Sequence, residues 1–147
     1  MVSERSGPLW SDAVKQSELR RLLFLPLRNE EDRRRLALWR MFGEAKDSAF
    51  LFMFDRQFRC VKCIFVYGKG IRMKDSYAEV VEMEAKEARV RYFAAVHNHV
   101  NEPLIPSPDD WVLTNTLLRC GERCFGKREA FLGHFITDGF SVVAMEL

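Results

Sequence analysis

An α/β domain, a sheet flanked by helices, is the fold class this sequence predicts, and three observations carry it. Short apolar runs of strand length recur, most plainly Ala49-Phe50-Leu51-Phe52-Met53-Phe54, which reads as a strand buried on both faces. Between these runs stand helix-start signals: Asn29 before three acidic residues, Ser76-x-x-Glu79, and Ser107-Pro108-x-Asp110. The chain has 147 residues, 48% of them hydrophobic, enough for one domain with a core of its own.

The N-terminal part reads as helical. Residues 1–9 are expected to be loose, with Gly7-Pro8 breaking any element. Ser11 caps a helix to about Leu25, with Ala13, Val14, Leu19, Leu22, Leu23 and Phe24 on its apolar side, and Pro26 ends it. Asn29 caps a second helix. Glu30, Glu31 and Asp32 lie in its first turn, where the helix dipole favours negative charge. Leu36, Leu38, Trp39, Met41 and Phe42 supply its apolar surface, and Gly43 suits a left-handed end. Arg33-Arg34-Arg35 follows three acidic residues and reads as a solvated helix face, not a phosphate site. Residues 1–47 thus form a short helical N-terminal extension, and residues 48–147 the main domain.

The main domain opens with the strand over 48–54. Asp55-Arg56-Gln57 turns the chain, and Cys60 to Tyr67 returns antiparallel to it. Gly68-Lys69-Gly70 is a flexible turn; without Gly-Lys-Ser/Thr it is no phosphate loop. Ser76 to Glu79 reads as a capping box, opening a helix to about Arg91 with a narrow apolar face. Tyr92-Phe93-Ala94-Ala95-Val96 is a buried strand. After a loop over 100–106, Ser107 is an N-cap, Pro108 sits at N1, and Asp110 at N3 completes the cap. That helix runs to about Cys124 and ends at Gly126. Lys127 to Ile136 reads as a strand, Thr137-Asp138-Gly139-Phe140 as a type I′ hairpin turn, and Ser141 to Leu147 as the return.

The chemistry concentrates at His97-Asn98-His99 and Asp110. Imidazole nitrogens and a carboxylate are ordinary zinc ligands. In an extended segment, His97 and His99 share a face, while Asn98 points away. Three protein ligands leave one tetrahedral position open, as a catalytic zinc requires. The capping reading explains Ser107 to Asp110 but not their distance from the two histidines.

His-x-His, seven residues, then Ser-x-x-Asp resembles the zinc signature of the JAB/MPN (JAMM) metallo-isopeptidases. The surrounding chain, from about Ala49 to about Val143, is similar to the RadC branch. The residues that carry this likeness are His97-Asn98-His99, Pro106-Ser107, Asp110, Thr114 and Gly133-His134-Phe135-Ile136 through Asp138-Gly139. The resemblance implies a cytidine-deaminase-like mixed sheet flanked by helices. It also implies zinc held by His97, His99 and Asp110, with Ser107 as the oxyanion group and a peptide or isopeptide substrate.

Four departures from that pattern follow. The family's general base, a glutamate, aligns with Cys63 or Ile64, counting from Phe54-Asp55-Arg56-Gln57-Phe58-Arg59. Neither is a carboxylate. Val100-Asn101-Glu102 stands where the family has Pro-Ser-Gly, which makes Glu102 either a rim carboxylate or a relocated base. Gly133 stands where the family has aspartate, and His134 reads as a supporting or core residue, not a ligand. RadC-like proteins usually carry an N-terminal helix-hairpin-helix region, and no Gly-x-Gly hairpin of that kind precedes Ser48. Metal-dependent hydrolysis is the implied function. The alternative is an inactive JAB-fold domain serving interaction or DNA repair.

Composition narrows the partners. A net charge of +2 gives no footprint for nucleic acid. No apolar run spans a bilayer, and no apolar h-region follows Met1, so a cytoplasmic protein is expected. Oligomeric state is left open. The four cysteines then read as buried thiols. Cys60-x-x-Cys63 and Cys120-x-x-x-Cys124 have the spacing of a second zinc site. Residues i and i+3 of a strand face opposite sides, which argues against that reading for the first pair.

Overall fold

The computed structural model describes residues 2–44, 46–66 and 71–147, with side chains described outside 2–11 and 71–75. In chain order the elements are α1 (Val2–Leu23), α2 (Glu30–Met41), β1 (Ala49–Phe54), β2 (Cys60–Phe65), α3 (Ile71–Glu84), β3 (Tyr92–Asn98) and α4 (Pro108–Phe125). A 3-10 turn (Arg128–Ala130), β4 (Phe131–Thr137) and β5 (Val142–Ala144) complete them. The five strands form one mixed sheet in the order β2-β1-β3-β4-β5. β1 pairs antiparallel with β2 and β3, β3 runs parallel to β4, and β4 pairs antiparallel with β5. The parallel pair is the one joined through a helix, α4, as a crossover requires.

β1 is buried at every residue because both its edges are paired and both its faces are covered. On one face Leu51, Met53, Phe93 and Ala95 pack against Tyr77 and Val81 of α3 and Leu113 and Leu117 of α4. On the other, Phe50, Phe52, Phe54, Val96 and Phe135 meet Leu22, Leu27, Leu36 and Met41. The helices within residues 1–47 therefore build one of two layers over the sheet. Each fully buried side chain of this size stabilises by about 1.5–3 kcal/mol.

Several local expectations hold. The Asn29 side chain accepts from Asp32 N, and Gly43 is left-handed at φ +82°. The β1–β2 turn is tied by Asp55, whose Oδ1 accepts from Gln57 N at 2.8 Å and Arg59 N at 3.0 Å.

Others are corrected. α1 begins at Val2 and runs through Gly7-Pro8, so the expected break is not there; Pro8 has no N–H, and the helix continues without that one backbone bond. α3 begins at Ile71, which leaves Ser76 and Glu79 inside the helix and not at its cap. Tyr77 and Val81, one turn apart, bury against the sheet, and such packing outweighs a capping preference. α3 stops at Glu84, short of Arg91. Beyond it Lys86 N and Glu87 N make tight i→i−3 bonds, while Glu84 and Glu87 reach Lys62 of β2. Lys127 to Ala130 precedes β4 as an extended residue and a 3-10 turn.

The last hairpin is not type I′, because among its residues only Gly139 has positive φ. Asp138 Oδ1 instead accepts from Phe140 N and Ser141 N, closing a four-residue connection. The return strand is only Val142–Ala144. The turn at Gly68-Lys69-Gly70 lies outside the described residues.

The face assignment of the cysteines is also corrected. The β1–β2 register shifts at Val61, so that Cys60 opposes Phe54 and Cys63 opposes Phe52. A bulge adds one residue to the strand, and i and i+3 then share a face. Both thiols are free, Cys60 buried and Cys63 exposed. Burial pushes the Cys60 thiol far above its ordinary range, with Cys63 adding to it. Among the described residues the possible metal-holding group lies elsewhere, at His97, His99 and Asp110.

Candidate metal centre

Three elements bring the centre together. β3 delivers His97 as its sixth residue, and His99 follows one residue past its end, where His99 N still donates to Thr137 O of β4 at 2.9 Å. Asn98 points to the other side, as its alternation demands. Its Oδ1 accepts from Ser48 N at 2.7 Å and its Nδ2 donates to Lys46 O at 2.9 Å. That clamp fixes the strand end and so the two ring directions, whose centroids are 5.2 Å apart.

Asp110 arrives from the N-terminus of α4 through the predicted capping box. Ser107 Oγ accepts from Asp110 N at 3.2 Å, and Asp110 Oδ2 accepts from Ser107 N at 2.8 Å. The carboxylate then stands between the rings, Oδ1 at 3.0 Å from His97 Nε2 and Oδ2 at 3.2 Å from His99 Nε2. All three residues are buried. Burial alone would raise the Asp110 carboxyl, but the His97 hydrogen bond and the Ser107 N–H outweigh it. The group is held well below the usual carboxylate range.

The donor set fits a metal ion. Ligand atoms of the three residues lie within 4.8 Å of one another. Zinc bonds of about 2.0–2.1 Å at tetrahedral angles place donors roughly 3.3–3.4 Å apart. The imidazole-to-carboxylate separations of 3.0 and 3.2 Å are within a few tenths of that. His99 is also oriented for ligation: its Nδ1 lies 3.0 Å from Pro103 O, and a carbonyl only accepts, so Nδ1 carries a hydrogen and Nε2 is the nitrogen turned toward Asp110. The group can hold a metal ion with a position left for a further ligand.

Around the triad the structure separates the remaining candidates. His134, fully buried on β4, reaches His97 Nδ1 with its Nε2 at 2.9 Å and so touches that ring from behind. Glu102 is exposed, with Oε1 at 3.6 Å from His99 Nδ1, the ring edge opposite the one that faces Asp110. Of the two positions where the resemblance would place a glutamate, Cys63 opposes Phe52 on the α1–α2 face, whereas Ile64 opposes Leu51 on the face that carries His97. The row of the sheet through His97 itself runs Val66, Ala49, His97, Ile136. Apart from the histidine it is wholly aliphatic.

One buried residue carried no distinct sequence signal. Tyr77 is fully buried under β3, donating to Val96 O at 3.3 Å, and burial followed by the charge of Asp110 pushes its hydroxyl well above the ordinary tyrosine range. A Cβ on Gly133 would meet the Phe135 ring at 3.1 Å, so the aspartate of the RadC-like pattern would have to displace that ring. A cleft of about 540 Å³ reaches His99 and is bordered by Glu44, Glu102, Pro103, Asp138 and Phe140.

No protein-family model matches the chain, and no curated protein sequence matches it. Among the described residues no helix is long and apolar enough to cross a membrane.

Proposed function

We propose that this chain is a zinc-binding, RadC-like JAB/MPN domain whose centre acts on peptide or isopeptide bonds. The observation that carries this is the convergence of two imidazole Nε2 atoms on one buried carboxylate, with the Nδ1 of each ring already engaged. Such a set leaves an open position for water or a carbonyl. Zinc bound there supplies Lewis acidity and brings the pKa of a bound water to about 7. His97 and His99 hold the ion as neutral donors, Asp110 supplies one negative charge, and the backbone of α4 fixes that carboxylate. Ser107 lies one helical turn before Asp110 and supplies the oxyanion hydroxyl. Its oxygen accepts from Asp110 N, which leaves its hydrogen free to be donated.

A second reading, a metal-binding interaction domain without hydrolysis, is favoured by the aliphatic row beside His97. Val66 and Ala49 offer no proton acceptor there, and Glu102 lies across the ring of His99. The first experiment is zinc stoichiometry of protein purified without added metal, beside His97→Ala. One zinc per chain, lost in the variant, supports the centre; no zinc even after soaking refutes both readings. Glutamate at position 66 or 64 then separates them. Val66 lies in the row of His97 and Ile64 two residues along the strand, about 6.8 Å away. Peptidase activity in Val66→Glu or Ile64→Glu but not in the unaltered protein supports the non-hydrolytic reading. Activity in the unaltered protein supports the hydrolase.

A further inference from the structure

We propose that the end of the sheet opposite the metal centre docks on an anionic lipid surface, with Leu23, Phe24 and Leu25 entering the headgroup boundary and the basic side chains of the same end holding the headgroup charge. The contact is peripheral and involves no spanning helix. It does not depend on the metal-binding reading.

The apolar tip is built by its neighbours. Leu22 and Leu27 are both buried under the sheet and anchor the chain on either side. Between them Leu23, Phe24 and Leu25 are 40%, 79% and 43% exposed. Phe24 N bonds to Arg21 O and Leu25 N to Leu22 O, so the three residues form a tight turn at the end of α1. Consecutive large apolar side chains held in water mark an interaction site.

The charge of the molecule is divided along the strands. Leu27 N donates to Phe58 O in the β1–β2 turn, and Arg91 N donates to Phe54 O at 2.8 Å, so these connections meet at one end of the sheet. The four connections there, 24–29, 55–59, 85–91 and 126–130, carry eight basic residues and three acidic ones. Of the three, Asp55 is buried and paired with Arg59. The acidic first turn of α2 is tied to that helix's own arginines, Glu30 to Arg34 and Asp32 to Arg35, and Glu18 is tied to Arg21. At the metal end the connections 42–48, 99–107 and 138–141 carry four acidic residues and one basic one. A total charge of +2 conceals this separation.

Charge and shape together select the occupant. Phe58 and Tyr92 stack on each other with centroids 4.4 Å apart, and Arg28 and Lys127 cover their outer faces at 5.6 and 4.7 Å. Neither ring therefore offers a face to a nucleic-acid base, and Leu23 and Leu25 have none to offer. A second copy related by a two-fold axis would set the same arginines against one another. An anionic lipid surface supplies the opposite charge and takes a convex apolar tip without a shaped pocket. β3 separates this end from the centre: His97 stands five residues beyond Tyr92, roughly 17 Å along the strand. Docking thus leaves the metal centre facing away from the lipid.

The test is co-sedimentation of the full chain with vesicles of phosphatidylcholine alone and of phosphatidylcholine and phosphatidylserine at about 7:3. We expect binding to the mixed vesicles, little to phosphatidylcholine, and a steep loss as salt is raised. Phe24→Ser, at an exposed position, should leave the urea midpoint unchanged and weaken binding by about tenfold. Arg56→Gln should weaken it by about fivefold. Absence of binding to the mixed vesicles at low salt would overturn the proposal, as would equal binding to both vesicles. Undiminished binding by Phe24→Ser would overturn the role of the tip. Two further measurements cover the other occupants. An oligothymidylate bound in place of vesicles would assign the surface to nucleic acid, and a dimer that Phe24→Ser dissolves would assign it to a second copy; either overturns lipid docking.

Discussion

Asp110 is asked to do two jobs, and Asp110→Asn separates them. In the helix cap its Oδ2 accepts from Ser107 N at 2.8 Å; in the centre its Oδ1 faces His97 Nε2 at 3.0 Å. Asparagine keeps one carbonyl oxygen. If that oxygen stays on Ser107 N–H, the amide NH₂ takes the place of the ligand oxygen, and the cap survives while the ligand is lost. Without metal, the exchange of charge-assisted contacts for neutral ones should cost about 1–2 kcal/mol. Asp110→Ala also loses the cap bond and leaves two buried imidazoles without a partner, for a total of about 2–5 kcal/mol. Zinc at a hundredfold excess over its dissociation constant should stabilise the unaltered protein by about 2.7 kcal/mol. It should not stabilise either variant at that concentration. The assay is urea unfolding of the three proteins, each with a chelator and with zinc. A zinc-induced shift of undiminished size in Asp110→Asn would refute Asp110 as a ligand. Metal-free Asp110→Ala as stable as the unaltered protein would refute the energetic roles given to the cap and the histidine contacts.

Gly121→Ala should destabilise by about 1–3 kcal/mol, seen as a lower urea midpoint. A Cβ there would lie 2.9 Å from Lys127 O and 3.1 Å from Arg128 O, backbone atoms that cannot turn aside; an unchanged midpoint would contradict that packing. Leu36→Ala, in the α2 layer, should cost about 2–5 kcal/mol in one cooperative transition; unfolding of the sheet unaffected by it would show that residues 1–47 are separable. At Asp55, burial raises the carboxyl, but the N–H groups of Arg59 and Gln57 and the Arg59 charge more than offset it and leave it lowered. Its contribution is therefore present above the unfolded carboxylate pKa of about 3.9 and lost as pH falls toward the lower folded value. Asp55→Asn should lose less stability than the unaltered protein on acidification through that range, and parallel pH profiles would refute the assignment.

The cap at Asn29, the strand over Ala49–Phe54, and the box at Ser107 to Asp110 were all legible because each is written in a few consecutive residues. The His97–His99 pairing was legible for the same reason, since alternation along a strand is local. The capping box at Ser76 misled because a local preference worth about 1 kcal/mol competed with the burial of Tyr77 and Val81. Cys60 and Cys63 misled because one bulged residue reverses the parity of a strand, and nothing in the apolar run marks where the bulge falls.

By itself, then, the sequence determined the strand and helix types, the cap that orients Asp110, and the three residue types able to hold a metal. Only the tertiary structure decided which remote groups stand behind them. The parallel pairing of β3 with β4 brings His134 to His97, and the crossover helix α4 brings Thr114 to His134. These contacts span 37 and 20 residues, distances over which no side-chain periodicity carries information. They are set by sheet register and helix packing, which depend on the whole core at once.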